Sequence, residues 1–165
     1  MSIPTTGLTR DYIYEVLEQV KDPEIPVLSV VKLNIIHDVR IDGDTVEVDM
    51  VPTFAGCPAI DVMKASIIEQ LKDVGVKEVI VHVKFKQEWS TNQITDDGRK
   101  ILKDFGLSPP PKYEGELTLE TLKHAECPVC SSTNTQLLNS FGPTACRAIH
   151  HCLDCNETFE QMKPL

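Results

Sequence analysis

The sequence predicts an α+β fold: a two-layer α/β domain ordered helix–strand–strand–helix–strand, followed by a small domain organised by cysteines. Three observations carry that expectation. Thr45-Val46-Glu47-Val48-Asp49-Met50-Val51 alternates apolar and polar residues, the period of a half-buried strand. Directly after it, Ile60, Met63, Ile67, Leu71 and Val74 recur at helical spacing. Far downstream, Cys127-Pro128-Val129-Cys130 and Cys152-Leu153-Asp154-Cys155 stand with 21 residues between them.

The elements follow in order. Thr9 is placed to cap a helix running to about Lys21, with Ile13, Val16, Leu17 and Val20 on its apolar face. Asp22-Pro23-Glu24-Ile25-Pro26 stops it, because two prolines in so short a span forbid a helix. That loop is either a plain helix stop or a stiff acidic loop in which Asp22 and Glu24 hold a metal or orient a thiol. Val30 to Ile41 is rich in Val and Ile and predicts a strand, and Asp42-Gly43 predicts a hairpin into the next strand, antiparallel to the first. A long helix starts near Pro58, a residue suited to the first helical position, and ends near Gly75. Val79, Val81, Val83 and Phe85 then alternate along a third strand. Past Trp89, Thr95 or Asp96 caps a short helix with Ile101, Leu102 and Phe105 facing inward, stopped by Gly106. Ser108-Pro109-Pro110-Pro111 opens a semi-rigid spacer. The expected organisation is a first domain over 1–107, a linker over 108–123 and a cysteine-held domain over 124–165.

Between the second strand and the long helix lies Pro52-Thr53-Phe54-Ala55-Gly56-Cys57-Pro58-Ala59. Gly56 permits a sharp turn, and Cys57 falls at or beside the helix N-cap. The positive end of a helix dipole stabilises a thiolate, which suits metal or sulfur chemistry. The alternative is a small cap residue that happens to be Cys.

Composition narrows the function. A chain of 165 residues with a net charge of −9, acidic in every segment, is no general nucleic-acid binder. No signal peptide and no membrane-length apolar run stand out, so the chain reads as cytoplasmic, and its six cysteines as ligands or reactive thiols rather than disulfides. Two Cys-x-x-Cys knuckles place Cys127, Cys130, Cys152 and Cys155 around one tetrahedral metal, zinc by frequency or iron as in rubredoxin-like sites. Thr135 to Phe141 and Thr158 to Met162 supply the strands of a zinc ribbon. A tail of about 40 residues has too little core to fold unaided, so the metal contributes folding free energy. Cys146 is a buried filler, a spare thiol or a partner for Cys57; His150 and His151 are alternatives to a thiolate ligand that four well-spaced cysteines make unnecessary. No phosphate-binding Gly loop, no Gly-x-Gly-x-x-Gly, no Glu-x-x-His pair and no nucleophile elbow marks a standalone enzyme.

Asp22-Pro23-Glu24-Ile25-Pro26-Val27 and Gly56-Cys57-Pro58-Ala59 resemble the two signatures of the SufT-like iron–sulfur assembly domain. Trp89, Gly98-Arg99, Leu102, Gly106, Pro109-Pro110 and Phe141-Gly142-Pro143-Thr144-Ala145-Cys146-Arg147-Ala148 are similar to one branch, the PaaD (or PaaJ) subunits of bacterial phenylacetyl-CoA epoxidase systems. The chain departs from that pattern at Lys32 and Asn34, where the family more often has Asp and Gly. The resemblance implies a non-catalytic accessory factor in aerobic phenylacetate degradation. Such a factor matures or repairs an iron–sulfur or di-iron centre carried by oxygenase and reductase subunits. It makes Cys57 the functional thiol, with Asp22 and Glu24 as the acidic loop near it. A transient iron–sulfur cluster at Cys57 implies sharing between two copies in a homodimer, since one thiolate holds a cluster poorly. The competing reading is an adaptor that docks oxygenase and reductase subunits through the ribbon without handling metal.

Overall fold

The computed structural model describes residues 7–53 and 56–165 and divides into two compact units after Trp89. In the first unit α1 spans Arg10–Leu17. Thr9, in extended backbone, accepts the Tyr12 N–H on its hydroxyl, and Ile13, Val16 and Leu17 are buried. The helix stops short of Lys21 because Gln19 and Val20 tighten to i→i−3 bonds, each at 3.0 Å. The chain then closes a loop: Asp22 N–H bonds the Leu28 carbonyl at 2.9 Å and Val30 N–H bonds that of Val20 at 3.0 Å.

The strand expected from Val30 begins only at Ile36. Ser29 accepts the Lys32 N–H at 3.0 Å, and Leu33 N–H reaches the Ser29 carbonyl at 2.9 Å. A hydroxyl that bonds nearby backbone favours a turn over a ladder, and here it overrides a β-branched run. Asn34 ends that turn in the left-handed region, at φ 57°. Asn tolerates this conformation better than most residues, so the departure from the family's Gly keeps the turn available.

β1 (Ile36–Asp42) and β2 (Thr45–Met50) form the expected antiparallel hairpin, with Gly43 at φ 59° in the turn. β3 (Glu78–Val83) pairs parallel to β2, giving the order β1-β2-β3. The crossover between them is α2 (Ala59–Asp73), whose Ala59, Ile60, Met63, Ile67 and Leu71 are buried. Gly75 at φ 96° lets Val76 N–H turn back to the Leu71 carbonyl at 3.1 Å and close the helix end. Val39, Val46, Val48 and Val81 are buried on the sheet. Trp89 is buried, and its indole N–H donates to the Leu33 carbonyl at 3.0 Å.

On the same sheet, Arg40 grips the buried Asp49 with both terminal nitrogens, at 2.8 and 3.0 Å, and reaches Glu47 at 2.9 Å. The Arg40 hydrogen bonds hold the Asp49 carboxyl below its ordinary range.

The second unit contains more than the expected tail. α3 (Asp96–Asp104), capped by the Thr95 hydroxyl on the Gly98 N–H at 3.0 Å, belongs to it, as does β4 (Leu107–Ser108). β4 pairs parallel with β7 (Thr158–Met162), and the four-stranded order is β4-β7-β6-β5. Thr91 N–H and the Tyr113 hydroxyl both donate to the Leu165 carbonyl, at 3.0 and 2.8 Å. The compact division therefore falls ahead of the proline run rather than within it, because these long-range bonds tie 90–113 to the ribbon. The spacer holds a short helix, α4 (Leu119–Lys123), capped by Thr118. Leu102 is buried as expected, whereas Phe105 is exposed. β5 (Thr135–Asn139) and β7 match expected strands; β6 (Arg147–Cys152), between them, was not expected.

Asp49→Asn is expected to lower stability at pH 7 by about 2 kcal/mol, the scale of a hydrogen bond to a charged group. Because the folded-state pKa of Asp49 is depressed, this contribution is present above the unfolded carboxylate value, near 3.9. It is lost as pH falls through the folded value. Chemical denaturation of both proteins should show a gap at pH 7 that narrows towards pH 2.

Candidate metal centre and a helix-end thiol

The two knuckles are built alike. Cys127 N–H bonds the Ser132 carbonyl and Cys152 N–H bonds that of Glu157, both at 2.8 Å. Ser131 N–H returns to the Cys127 carbonyl at 2.9 Å, and Asn156 N–H to that of Cys152 at 3.0 Å. Ser131 and Asn156 each sit just past the second cysteine of their knuckle, at φ 61° and 62°. This left-handed step turns the backbone so that both thiols of a knuckle face one point. Asp154 joins the knuckles through the Ser132 hydroxyl and the Asn134 amide, the latter at 2.8 Å.

The result is a converged set. The sulfurs of Cys127, Cys130, Cys152 and Cys155 all lie within 4.8 Å of one another. Cys127 and Cys155 are 3.7 Å apart, and Cys130 and Cys152 3.6 Å. A tetrahedron with metal–sulfur bonds of ~2.3 Å has edges of ~3.8 Å, so the spacing fits a metal ion. The Cys155 N–H, helped by that of Asp154, pulls the Cys152 thiol down to about 7. The Glu157 N–H pulls Cys155 the same way, but desolvation and the other three thiols outweigh it and push Cys155 up to about 12. One thiol of the set ionises readily while another resists, so four thiolates together require a cation among them. These four sulfurs would hold it with no coordination position left open, and it would supply charge neutralisation and cross-linking rather than reactivity.

Cys127 and Cys152 are buried with Ala125 and Phe159 in one apolar cluster, which anchors one sulfur of each knuckle. His150 is fully buried and stacks on Phe159 with ring centroids 5.7 Å apart. Burial pushes its pKa down, and it is not a member of the converged set. Cys146 is buried outside that set, with its sulfur 3.1 Å from the Thr144 hydroxyl.

Cys57 is half-buried and follows Gly56 at φ 81°. Its carbonyl accepts the Ile60 N–H at 3.3 Å, so it stands at the entrance of α2 as expected. Phe54 and Ala55 of the same stretch lie outside the described residues. Asp22 and Glu24 are half-buried. The Asp22 carboxylate accepts the N–H groups of Glu24 and Ile25, at 2.7 and 3.1 Å, and so folds its own loop. Among the described residues the four ribbon cysteines form the converged ligand group, and Cys57, Asp22 and Glu24 do not form another.

Residues 112–163 match the family described as the PaaD zinc beta ribbon domain, and residues 10–83 match that of the iron–sulfur cluster assembly protein. A putative 1,2-phenylacetyl-CoA epoxidase subunit from Escherichia coli (strain K12) is 34% identical over 151 residues, 92% of this chain and 90% of that protein. An iron–sulfur cluster carrier protein from Synechocystis is 39% identical over 77 residues, 46% of this chain and 22% of that protein. A crystal structure of a DUF59 domain of unknown function from Bacillus anthracis covers 56% of this chain and 89% of its own, at 27% identity and TM-score 0.52. A conserved hypothetical protein from Thermotoga maritima covers 61% and 96%, at 27% identity and TM-score 0.50. The class is thus an iron–sulfur-assembly-type α+β domain joined to a zinc ribbon. The chain belongs to the PaaD family of phenylacetyl-CoA epoxidase subunits. Among the described residues no helix is long and apolar enough to cross a membrane.

Cys130→Ser, or chelation, is expected to loosen the ribbon over 124–165 while the first unit stays folded. Hydrogen exchange before and after metal removal checks this. A ribbon equally protected without metal would mean that its folding does not depend on the ion.

Proposed function

We propose that this chain is a cytoplasmic accessory factor that matures or repairs the metal centre of a multicomponent phenylacetyl-CoA epoxidase, acting through Cys57 rather than catalysing the epoxidation. One observation carries the reading: an assembly-type domain over 10–83 and a PaaD-type ribbon over 112–163 occur in one chain that is similar to an epoxidase subunit along nearly its whole length. Zinc in the ribbon then serves structure, and iron or an iron–sulfur unit is cargo handled by the first unit. Cys57 suits the handling role because it is half-buried at a helix entrance and outside the closed four-sulfur set. A single thiol requires further ligands, which a second copy or the client supplies. Asp22 serves this reading by stiffening the acidic loop that also carries Glu24.

Cys57→Ser is expected to leave the ribbon metal and the fold unchanged and to reduce epoxidase activity in cells at least tenfold. Metal analysis and circular dichroism of the variant, beside an activity assay in cells lacking the native chain, check this. Full activity from the Ser variant would reduce Cys57 to a helix cap.

A second reading, the adaptor, draws on the knuckles: Val129 and Leu153, inside the two Cys-x-x-Cys turns, are exposed apolar residues. On that reading they dock the oxygenase or reductase subunits. Val129→Asp with Leu153→Asp should then abolish co-purification of those subunits, whereas Cys57→Ser should not.

A further inference from the structure

Within the second unit a cleft of about 390 Å³ runs between α3 and the proline run. One wall carries Arg99 and Lys103, four residues apart and therefore on one face of α3. Pro109, Pro110, Pro111 and Lys112 also line it, with the Pro110 carbonyl bonded to Arg99. His124, Ala125, Glu126 and Thr133 complete the lining. Arg99, Lys103 and Lys112 outnumber the nearby carboxylates, Glu126 in the lining and Asp96 paired to Lys112, in a chain whose net charge is −9.

The state of Arg99 gives the cleft its meaning. Its terminal nitrogens donate to the carbonyls of Pro110 and, at 2.7 Å, of Thr91. These bonds fix the guanidinium but bring no negative charge, and no carboxylate lies within ion-pair distance of it among the described residues. Burial pushes its pKa down, with Asp96 the counteracting charge. Lys112 reaches that same Asp96 only at 3.4 Å, in a pair open to solvent. Lys103 is occupied by Glu126 and Ser131, at 2.5 and 2.8 Å. A part-buried cation held by neutral carbonyls bears a desolvation cost that an anion in the cleft would offset. With the flat fork of Arg99 turned to carbonyls, the charges offered to a ligand act mainly as points, which suits a phosphate better than a bidentate carboxylate.

We propose that this cleft binds a phosphate group carried by a small molecule, with the apolar proline wall against the body of that molecule. The acyl-CoA in the relative's name makes the coenzyme A nucleotide the favoured source, and that part rests on the proposed function above.

The test is calorimetric titration of the metal-loaded full chain with coenzyme A and, separately, with inorganic phosphate, at low and high salt. Saturable binding of coenzyme A is expected, competed by phosphate and weakened by salt. Arg99→Gln should abolish it. Because Arg99 also ties α3 to the proline run, Lys112→Glu provides the second variant: an exposed substitution expected to weaken binding about tenfold without changing the melting temperature. Phosphate binding without coenzyme A binding would keep the phosphate site and overturn the nucleotide as its source. No saturable binding of either probe, or binding that Lys112→Glu leaves unchanged, overturns the proposal. Cys57→Ser should bind coenzyme A as the native chain does, so failure here is separate from failure of the maturation reading.

Discussion

Four thiols gathered within 4.8 Å cannot all ionise without a cation among them, and the second unit is arranged around that constraint. Each knuckle uses a left-handed residue, Ser131 or Asn156, to aim its sulfurs inward. Neither residue is Gly, so each knuckle carries a conformational cost that the metal bonds offset. Cys152 ends β6, which pairs with β7; β7 in turn carries β4 on its far edge. Order at the metal is thereby passed through the sheet to Leu107, and Thr91 joins the same unit through its bonds to Leu165. The ribbon recruits the preceding helix and spacer, which explains why the compact unit is larger than the cysteine-bearing segment.

The first unit follows a different logic. Parallel pairing of β2 with β3 demands a crossover, and α2 supplies it. The connection leaves the carboxyl end of β2 and reaches the helix by way of Cys57. That position, outside the carboxyl ends of parallel strands and at a helix N-terminus, is where α/β sheets commonly place their ligands. Ile35 and Lys84 backbones meet Val51 and Met50 at this same end, so the rim around the connection is held by main-chain bonds of 2.8 Å. Asp22, by contrast, commits its carboxylate to its own loop.

Elements with regular periodicity were legible in the sequence. The β2 alternation, the α2 repeat, the Asp42-Gly43 turn, the Thr9 and Thr95 caps and the four metal-spaced cysteines all stand in the structure as expected. What stayed hidden depends on distant partners. Val30–Asn34 looks like a strand until the Ser29 hydroxyl is seen to bond Lys32. β6 escaped because its buried positions are Ala148, His150 and Cys152, a set with little hydrophobic contrast to its neighbours. Phe105 reads as core by helical spacing yet is exposed, since the helix has ended and Gly106 at φ 91° turns the chain away. The role of Arg99 was unreadable for the same reason: its carbonyl partners, Thr91 and Pro110, lie outside its helix.

The two cysteine environments differ in the way the proposed function requires. A sulfur in the ribbon has three sulfur neighbours and a metal-sized space between them, so an ion there would be held in a closed, four-coordinate set. Cys57 has no such company among the described residues, which makes it a poor permanent site and a reasonable transient one. Cargo that must be passed on requires a donor site that competes weakly with its acceptor, and a lone thiol meets that condition where four do not. The same comparison argues against a redox role for the knuckles: oxidising either Cys-x-x-Cys pair to a disulfide would remove two of the four ligands on which the second unit depends. On the proposed function, structure and exchange fall to different cysteines, because a single ligand set cannot be strong enough for one and weak enough for the other.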